Sequence, residues 1–192
     1  MAHTKPNRSL IQSIDDDGND PAVWSHSARS LLDSASVLKK HREEALRTFH
    51  SMVRIKTAVS FPNTNYVDIE RMLVGFAFEN HFRALEVAEG KIDLYKDGVM
   101  QKRYKRKKPH DLIEHAIAAE FPLSSNEQDF LGQLTRLMTA YGRYPLALNE
   151  TTHAGRLVSW KPRAYAKTCE ELLSRINHEL GKRISRRKSS KL

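Results

Sequence analysis

Apolar residues in this chain recur every three or four positions far more often than every second one, which is the period of helices. Trp24, Ala28, Leu31, Leu32, Ala35 and Leu38 form one such stripe. It opens at Asp20-Pro21, an N-cap residue followed by proline at the first helical position. The stripe resumes at Ala45, Leu46, Phe49, Met52 and Val53, with no Gly or Pro between Pro21 and Pro62. A single helix over that span would be unusually long, so a break near His41-Arg42 is expected. Phe61-Pro62-Asn63 reads as a turn. The segment from Tyr66 to Glu89 then changes character. Met72, Leu73, Val74, Phe76, Ala77 and Phe78 are apolar on every face, the mark of a helix packed on several sides. Gly90 supplies its stop. This is the expected central helix.

Residues 91–108 carry no helical stripe, and Asp97-Gly98 predicts a short hairpin in an exposed loop. Pro109 is expected to open a helix carrying Leu112, Ile113, Ala116 and Ile117, ending before Pro122. Ser124 stands three before Glu127 and Ser125 three before Gln128; either pair makes a capping box. The stripe that follows, Phe130, Leu131, Leu134, Leu137, Met138 and Tyr141, closes at Gly142. A long connection from Arg143-Tyr144-Pro145 through Trp160 leads to a last helix from about Pro162, burying Tyr165, Cys169, Leu172, Leu173, Ile176 and Leu180. The fold class is all-α, a helical bundle of five or six helices. Residues 1–19, with Asp15, Asp16, Asp17 and Gly18 and few large apolar groups, read as a disordered leader. Residues 20–181 form the bundle with an exposed basic loop at 91–109, and residues 182–192 a basic tail.

Composition narrows the function classes. At 192 residues the chain is one domain with appendages. Its longest unbroken apolar run, Met72 to Phe78, is far short of a bilayer span, and residues 1–10 lack a secretory pattern. The single Cys169 excludes an internal disulfide and cysteine-rich zinc frameworks. A soluble, cytoplasmic protein without membrane partners is expected. The net charge of +9 is unevenly placed. Residues 91–110 hold eight Lys/Arg against Asp93 and Asp97, residues 181–192 hold six and no acid, and the rest of the chain sums to −3. Basicity concentrated in two segments attracts polyanions.

No Gly-rich phosphate loop, nucleophile elbow or cysteine pair is present. His110/Glu114 and Asp111/His115 are each spaced four apart, so each pair can meet on a helix face. The two pairs lie on different faces, and no metal is expected there. Glu79 and Arg83, also four apart, follow the all-round apolar run, where a carboxylate needs a partner. They are expected to form a structural ion pair.

The stretch Phe76-Ala77-Phe78-Glu79-Asn80-His81-Phe82-Arg83-Ala84-Leu85 resembles the central helix of HEPN-type bundles, with an apolar run, Glu, then a base four later. Pro109-His110-Asp111-Leu112 is similar to the His-Asp-Leu opening of the next helix in HEPN-like families, and Leu123-Ser124-Ser125-Asn126-Glu127 through Gly142-Arg143-Tyr144-Pro145 to the following helix and its exit. Trp24, Ala28 and Leu31-Leu32 suit the first helix. The resemblance spans roughly residues 20–180 in order of elements. It implies a helical bundle, frequent homodimers, and RNA-directed roles in toxin–antitoxin, defence or RNA-processing systems, with no cofactor. The family's ribonucleases place Arg, usually followed by a polar residue, with about four to six residues between it and His, near the start of a late helix. Of the nine histidines only His110 fits, with six residues between it and Arg103. Tyr104 departs from the polar residue, and Arg103 lies inside a basic run.

The leading expectation is therefore a HEPN-like module that associates with RNA without an intact nuclease motif. Lys102, Arg103, Tyr104, Lys105, Arg106, Lys107 and Lys108 are the candidate contacts, Tyr104 stacking on a base, together with Arg186, Arg187 and Lys188 of the tail. The alternatives are a metal-independent ribonuclease using Arg103 and His110, and a protein-interaction module whose basic segments solubilise it. The terminal Ser190-Lys191-Leu192 has the form of a peroxisomal address and is read as the chance end of a Lys/Ser-rich tail.

Overall fold

The computed structural model describes residues 8–54, 65–90, 93–101, 110–141 and 162–189. These form helices α1 (Arg8–Gly18), α2 (Pro21–Arg54), α3 (Asn65–Ala88), α4 (Leu112–Ala118), α5 (Ser125–Tyr141) and α6 (Pro162–Ser189). A two-stranded hairpin, β1 (Tyr95–Lys96) and β2 (Val99–Met100), sits between α3 and α4. The described part of the chain is all-α but for that hairpin.

α3 is the helix on which the rest converge, touched by α2, α4, α5 and α6. Its all-round apolar sequence is the cause: Phe78, Phe82, Ala84 and Leu85 are fully buried and face different neighbours. Phe78 meets Phe130 of α5 edge-on at 5.7 Å, and Phe82 meets Phe121 at 6.0 Å. Gly75 lets α5 come close, since a Cβ there would stand 2.4 Å from Met138 Sδ. Leu172 and Ile176 of α6 close the core. The pairs Trp24–Arg83 and Arg42–Glu70 run α2 antiparallel to α3, whereas Arg71–Tyr165 and Val87–Arg187 run α6 parallel to it.

Four expectations need correction. α2 continues without a break through His41-Arg42 for 34 residues, about 51 Å at 1.5 Å per residue. α3 packs along it, and Arg42 bonds Glu70 at 3.1 Å where the break was expected. The leader is not featureless: Arg8–Gly18 is helix α1, although it contains no buried residue. α4 starts at Leu112 and not at Pro109, because the Asp111 carboxylate accepts from Ile113 and Glu114 N–H and caps it. The basic tail is helical through Ser189, since Ile184 packs on the core and Arg183 is buried. Residues 1–7, the Phe61-Pro62-Asn63 turn, Pro109, the Gly142-Arg143-Tyr144-Pro145 exit and Ser190-Lys191-Leu192 lie outside the described residues.

Two local signals hold as the residues predict. Asp97 and Gly98 have φ of 56° and 73°, the left-handed pair of a two-residue hairpin turn. Ser124 caps α5 in a capping box: its N–H and hydroxyl donate to Glu127 at 2.7 and 2.9 Å, and its hydroxyl accepts from Glu127 N–H at 3.4 Å.

Candidate functional site

Halfway along α3 the sequence places Glu79 and Arg83 one turn apart. Arg83 donates to Glu79 Oε1 at 2.9 Å, and both side chains are about one-tenth exposed. The other oxygen, Oε2, lies 3.1 Å from His110 Nδ1. A second imidazole, His115 of α4, brings its Nε2 to 3.8 Å from Oε1 and is 1% exposed. Burial pushes the Glu79 carboxyl up, but hydrogen bonds from His110 and Arg83 and the field of His115 hold it below the usual carboxylate range. An ionised carboxylate only accepts, so His110 Nδ1 carries the proton in this contact and Nε2 is the outer ring nitrogen. The His110 side chain is 29% exposed, and its ring meets Phe76 edge-on at 5.5 Å.

Arg83 ties the pair to the hairpin. Its guanidinium lies over the Trp24 ring at 5.3 Å and reaches Met100 Sδ at 3.9 Å. Met100 stands two positions before Lys102 and His110 two after Lys108. These two flanking residues thus contact neighbouring positions of α3, Met100 at Arg83 and His110 at Glu79. Lys102, Arg103, Tyr104, Lys105, Arg106, Lys107 and Lys108 themselves lie outside the described residues.

The pairings expected within α4 do not form as drawn. Asp111 is spent on the helix cap, and His110 precedes the helix and turns to Glu79 on α3. Among the described residues no group of His, Cys, Asp and Glu is arranged to hold a metal ion. Cys169 is not a ready nucleophile, since burial pushes its thiol up to about 12.

The basic cations of α6 divide. Arg186 and Lys188 are exposed. Arg187 donates to the Val87 carbonyl at 3.0 Å, at the end of α3. Arg183, missed in the sequence, is 5% exposed and ties three elements together. It donates to Ala119 O at 2.7 Å and Leu85 O at 3.4 Å, and pairs with Glu179 at 3.0 Å and Glu89 at 3.1 Å. Periodicity alone gives one signal for it, its place three after Leu180 on the buried stripe.

The sequence also missed a polar junction at the hairpin. Asp15 of α1 accepts from Asp97 N–H and Gly98 N–H, each at 2.8 Å. Asn19 brackets Tyr95, donating to its carbonyl at 2.8 Å and accepting from its N–H at 3.1 Å. A third omission is His81, 1% exposed, with neither ring nitrogen hydrogen-bonded. Burial and, to a smaller extent, Arg29 lower it to about 4.

No family model, no curated protein and no solved structure matches this chain. No helix among the described residues is long and apolar enough to cross a membrane.

Proposed function

We propose that this chain is a HEPN-like helical module that associates with RNA, in a prokaryotic defence, toxin–antitoxin or RNA-processing setting. The segment Lys102–Lys108 supplies the main phosphate contacts, and the exposed Arg186 and Lys188 add to them. One observation supports the reading: the residues flanking the basic run, Met100 at 3.9 Å from Arg83 and His110 at 3.1 Å from Glu79, both meet one buried ion pair. A tethered run of cations loses less freedom on binding a polyanion than a free tail does. The test is binding to single-stranded RNA over a salt series. Neutralising Lys105, Arg106, Lys107 and Lys108 should weaken binding, and each lost phosphate contact should flatten the log–log salt slope by about 0.7. His110→Ala should leave affinity within about threefold, roughly 0.65 kcal/mol. Absence of RNA binding even at low salt would defeat this reading.

The geometry of His110 favours a second reading, metal-independent RNA cleavage with Arg103. An imidazole that keeps its Nδ1 proton and donates that N–H to the Glu79 carboxylate leaves Nε2 to take a proton from a ribose 2′-hydroxyl. An arginine would steady the phosphate under attack. Cleavage in chelator, abolished by Arg103→Ala and by His110→Ala in folded protein, would replace the first reading with this one.

A further inference from the structure

We propose that the exposed face of α6 between Ser174 and Ser189 binds the phosphate backbone of a double-helical nucleic acid. This rests on the RNA-associating reading above for Arg186 and Lys188, and gives the face a ligand of its own.

Charge is divided along α6. Its exposed acids, Glu170 and Glu171, stand in the first half. From Ser174 to Ser189 the exposed residues are cations, Asn177, His178, glycine and serine, without an acid, an aromatic or a large aliphatic among them. Glu179, the acid of this stretch, is held by Arg183 at 3.0 Å. Arg175 is taken by Glu127 and the Pro122 carbonyl. Lys182, Arg186 and Lys188 form no ion pair among the described residues, and Lys182 and Arg186 act on Glu179 only at longer range. The helix dipole accounts for cations in the last turn, Arg186 and Lys188. It does not account for Lys182, one turn earlier.

Shape narrows the ligand further. At 3.6 residues per turn Ser174, Gly181 and Ser185 share one strip of the helix, with Lys182 and Arg186 along one side and Lys188 on the other. The Ser185 and Ser189 hydroxyls turn back onto the carbonyls of Gly181 and Ser185, at 2.9 and 3.1 Å, so the strip stays low. Nothing in the fold asks for glycine at 181. A Cβ there would meet no described atom within 4 Å outside its own turn of helix, and glycine weakens a helix interior. A low strip between cations fits the close approach of another molecule's backbone. The apolar side of α6 is already packed, through Leu172, Ile176 and Leu180, and so cannot enter a lipid surface. Unpaired bases need aromatic platforms, which this face lacks. A duplex hides its bases and presents phosphates, and those are what cations and small polar residues contact.

The test uses the full chain with a labelled RNA duplex, a DNA duplex of the same sequence and one RNA strand alone, over a salt series. Lys182→Gln/Arg186→Gln/Lys188→Gln is compared with Lys39→Gln/Lys40→Gln/Arg47→Gln, which removes as many exposed cations from α2. The α6 variant should bind duplex about tenfold or more weakly than the control at low salt, its log–log salt slope flatter by about 0.9 per lost contact. Its loss on the single strand should be smaller. Gly181→Leu should raise the melting temperature and still weaken duplex binding, a combination that a merely structural glycine would not give. The duplex bound more tightly names the ligand, and equal binding of RNA and DNA supports contact with the backbone alone. Equal duplex affinity of the two triple variants, an equal loss on the single strand, or polyglutamate competing as well as duplex per charge would overturn the proposal. Single-strand binding that still depends on Lys105, Arg106, Lys107 and Lys108 would then leave the reading above standing. Absence of binding to all three nucleic acids would remove both.

Discussion

Glu79 on α3 and Asp15 on α1 are both carboxylates that accept hydrogen bonds from distant parts of the chain, 31 and 83 residues away. Their surroundings make them different devices. Glu79 is 10% exposed among an arginine and two imidazoles, on a helix packed by four others. Asp15 sits half-buried on a helix without a buried residue, one of its contacts exposed and the other part-buried. In low dielectric a charge without its partner is costly, so the Glu79 contacts are held firmly. In water the same hydrogen bonds exchange with solvent at little net cost. The buried carboxylate is fixed by its surroundings, and the half-buried one at the hairpin turn adds little to the stability of the fold.

The sharpest way to break this contrast is Arg83→Ala. Stranding Glu79 should cost about 3 kcal/mol in denaturant melts, and a loss below about 0.5 kcal/mol would place the pair effectively at the surface. Acid titration of stability probes another buried group on the same helix. His81 binds its proton at about 4 when folded but near its ordinary 6.5 when unfolded. Its contribution is therefore fully present above pH 6.5 and declines as the pH falls toward 4, by about 3 kcal/mol at most. His81→Leu should flatten that window. Glu79, whose folded pKa is lowered, adds its own loss only below its ordinary 4.5. Removing residues 184–192 should cost about 2 kcal/mol, since it takes away the packing of Ile184 and the Arg187 bond to Val87 O. An unchanged melting temperature would show that the last turns of α6 do not dock. The smallest effect belongs to α1: Asp15→Ala should lower global stability by less than about 1 kcal/mol. Its trace should be faster hydrogen exchange at Asp97 and Gly98, with α3 protection unaltered.

Much of this architecture was legible in single residues. The all-round apolar run at Met72–Phe78 marked α3 as central, Ser124 with Glu127 marked the start of α5, and Asp97-Gly98 marked the hairpin. The i, i+4 spacing of Glu79 and Arg83 was enough to pair them, because neighbours one helical turn apart meet whatever surrounds them. His110 was singled out for its spacing from Arg103, but its contact with Glu79 was invisible. So were Arg183 and the Asp15 junction, since their partners lie on other elements.

The amino-acid sequence by itself determined the helical period, the caps and turns, and where charge accumulates, all of which depend on residues within a few positions of one another. Tertiary structure alone decided which basic residues stay exposed. Arg183 and Arg187 are drawn to the carbonyl ends of α3 and α4, while Arg186 and Lys188, on the same turns of α6, face solvent. It also decided that Asp15 of the leader helix α1 meets the hairpin turn, whose two N–H groups its carboxylate satisfies. The physical reason is common to both cases. A polar group takes its place according to which unsatisfied donors and acceptors the packed elements bring within reach, and that is a property of the fold.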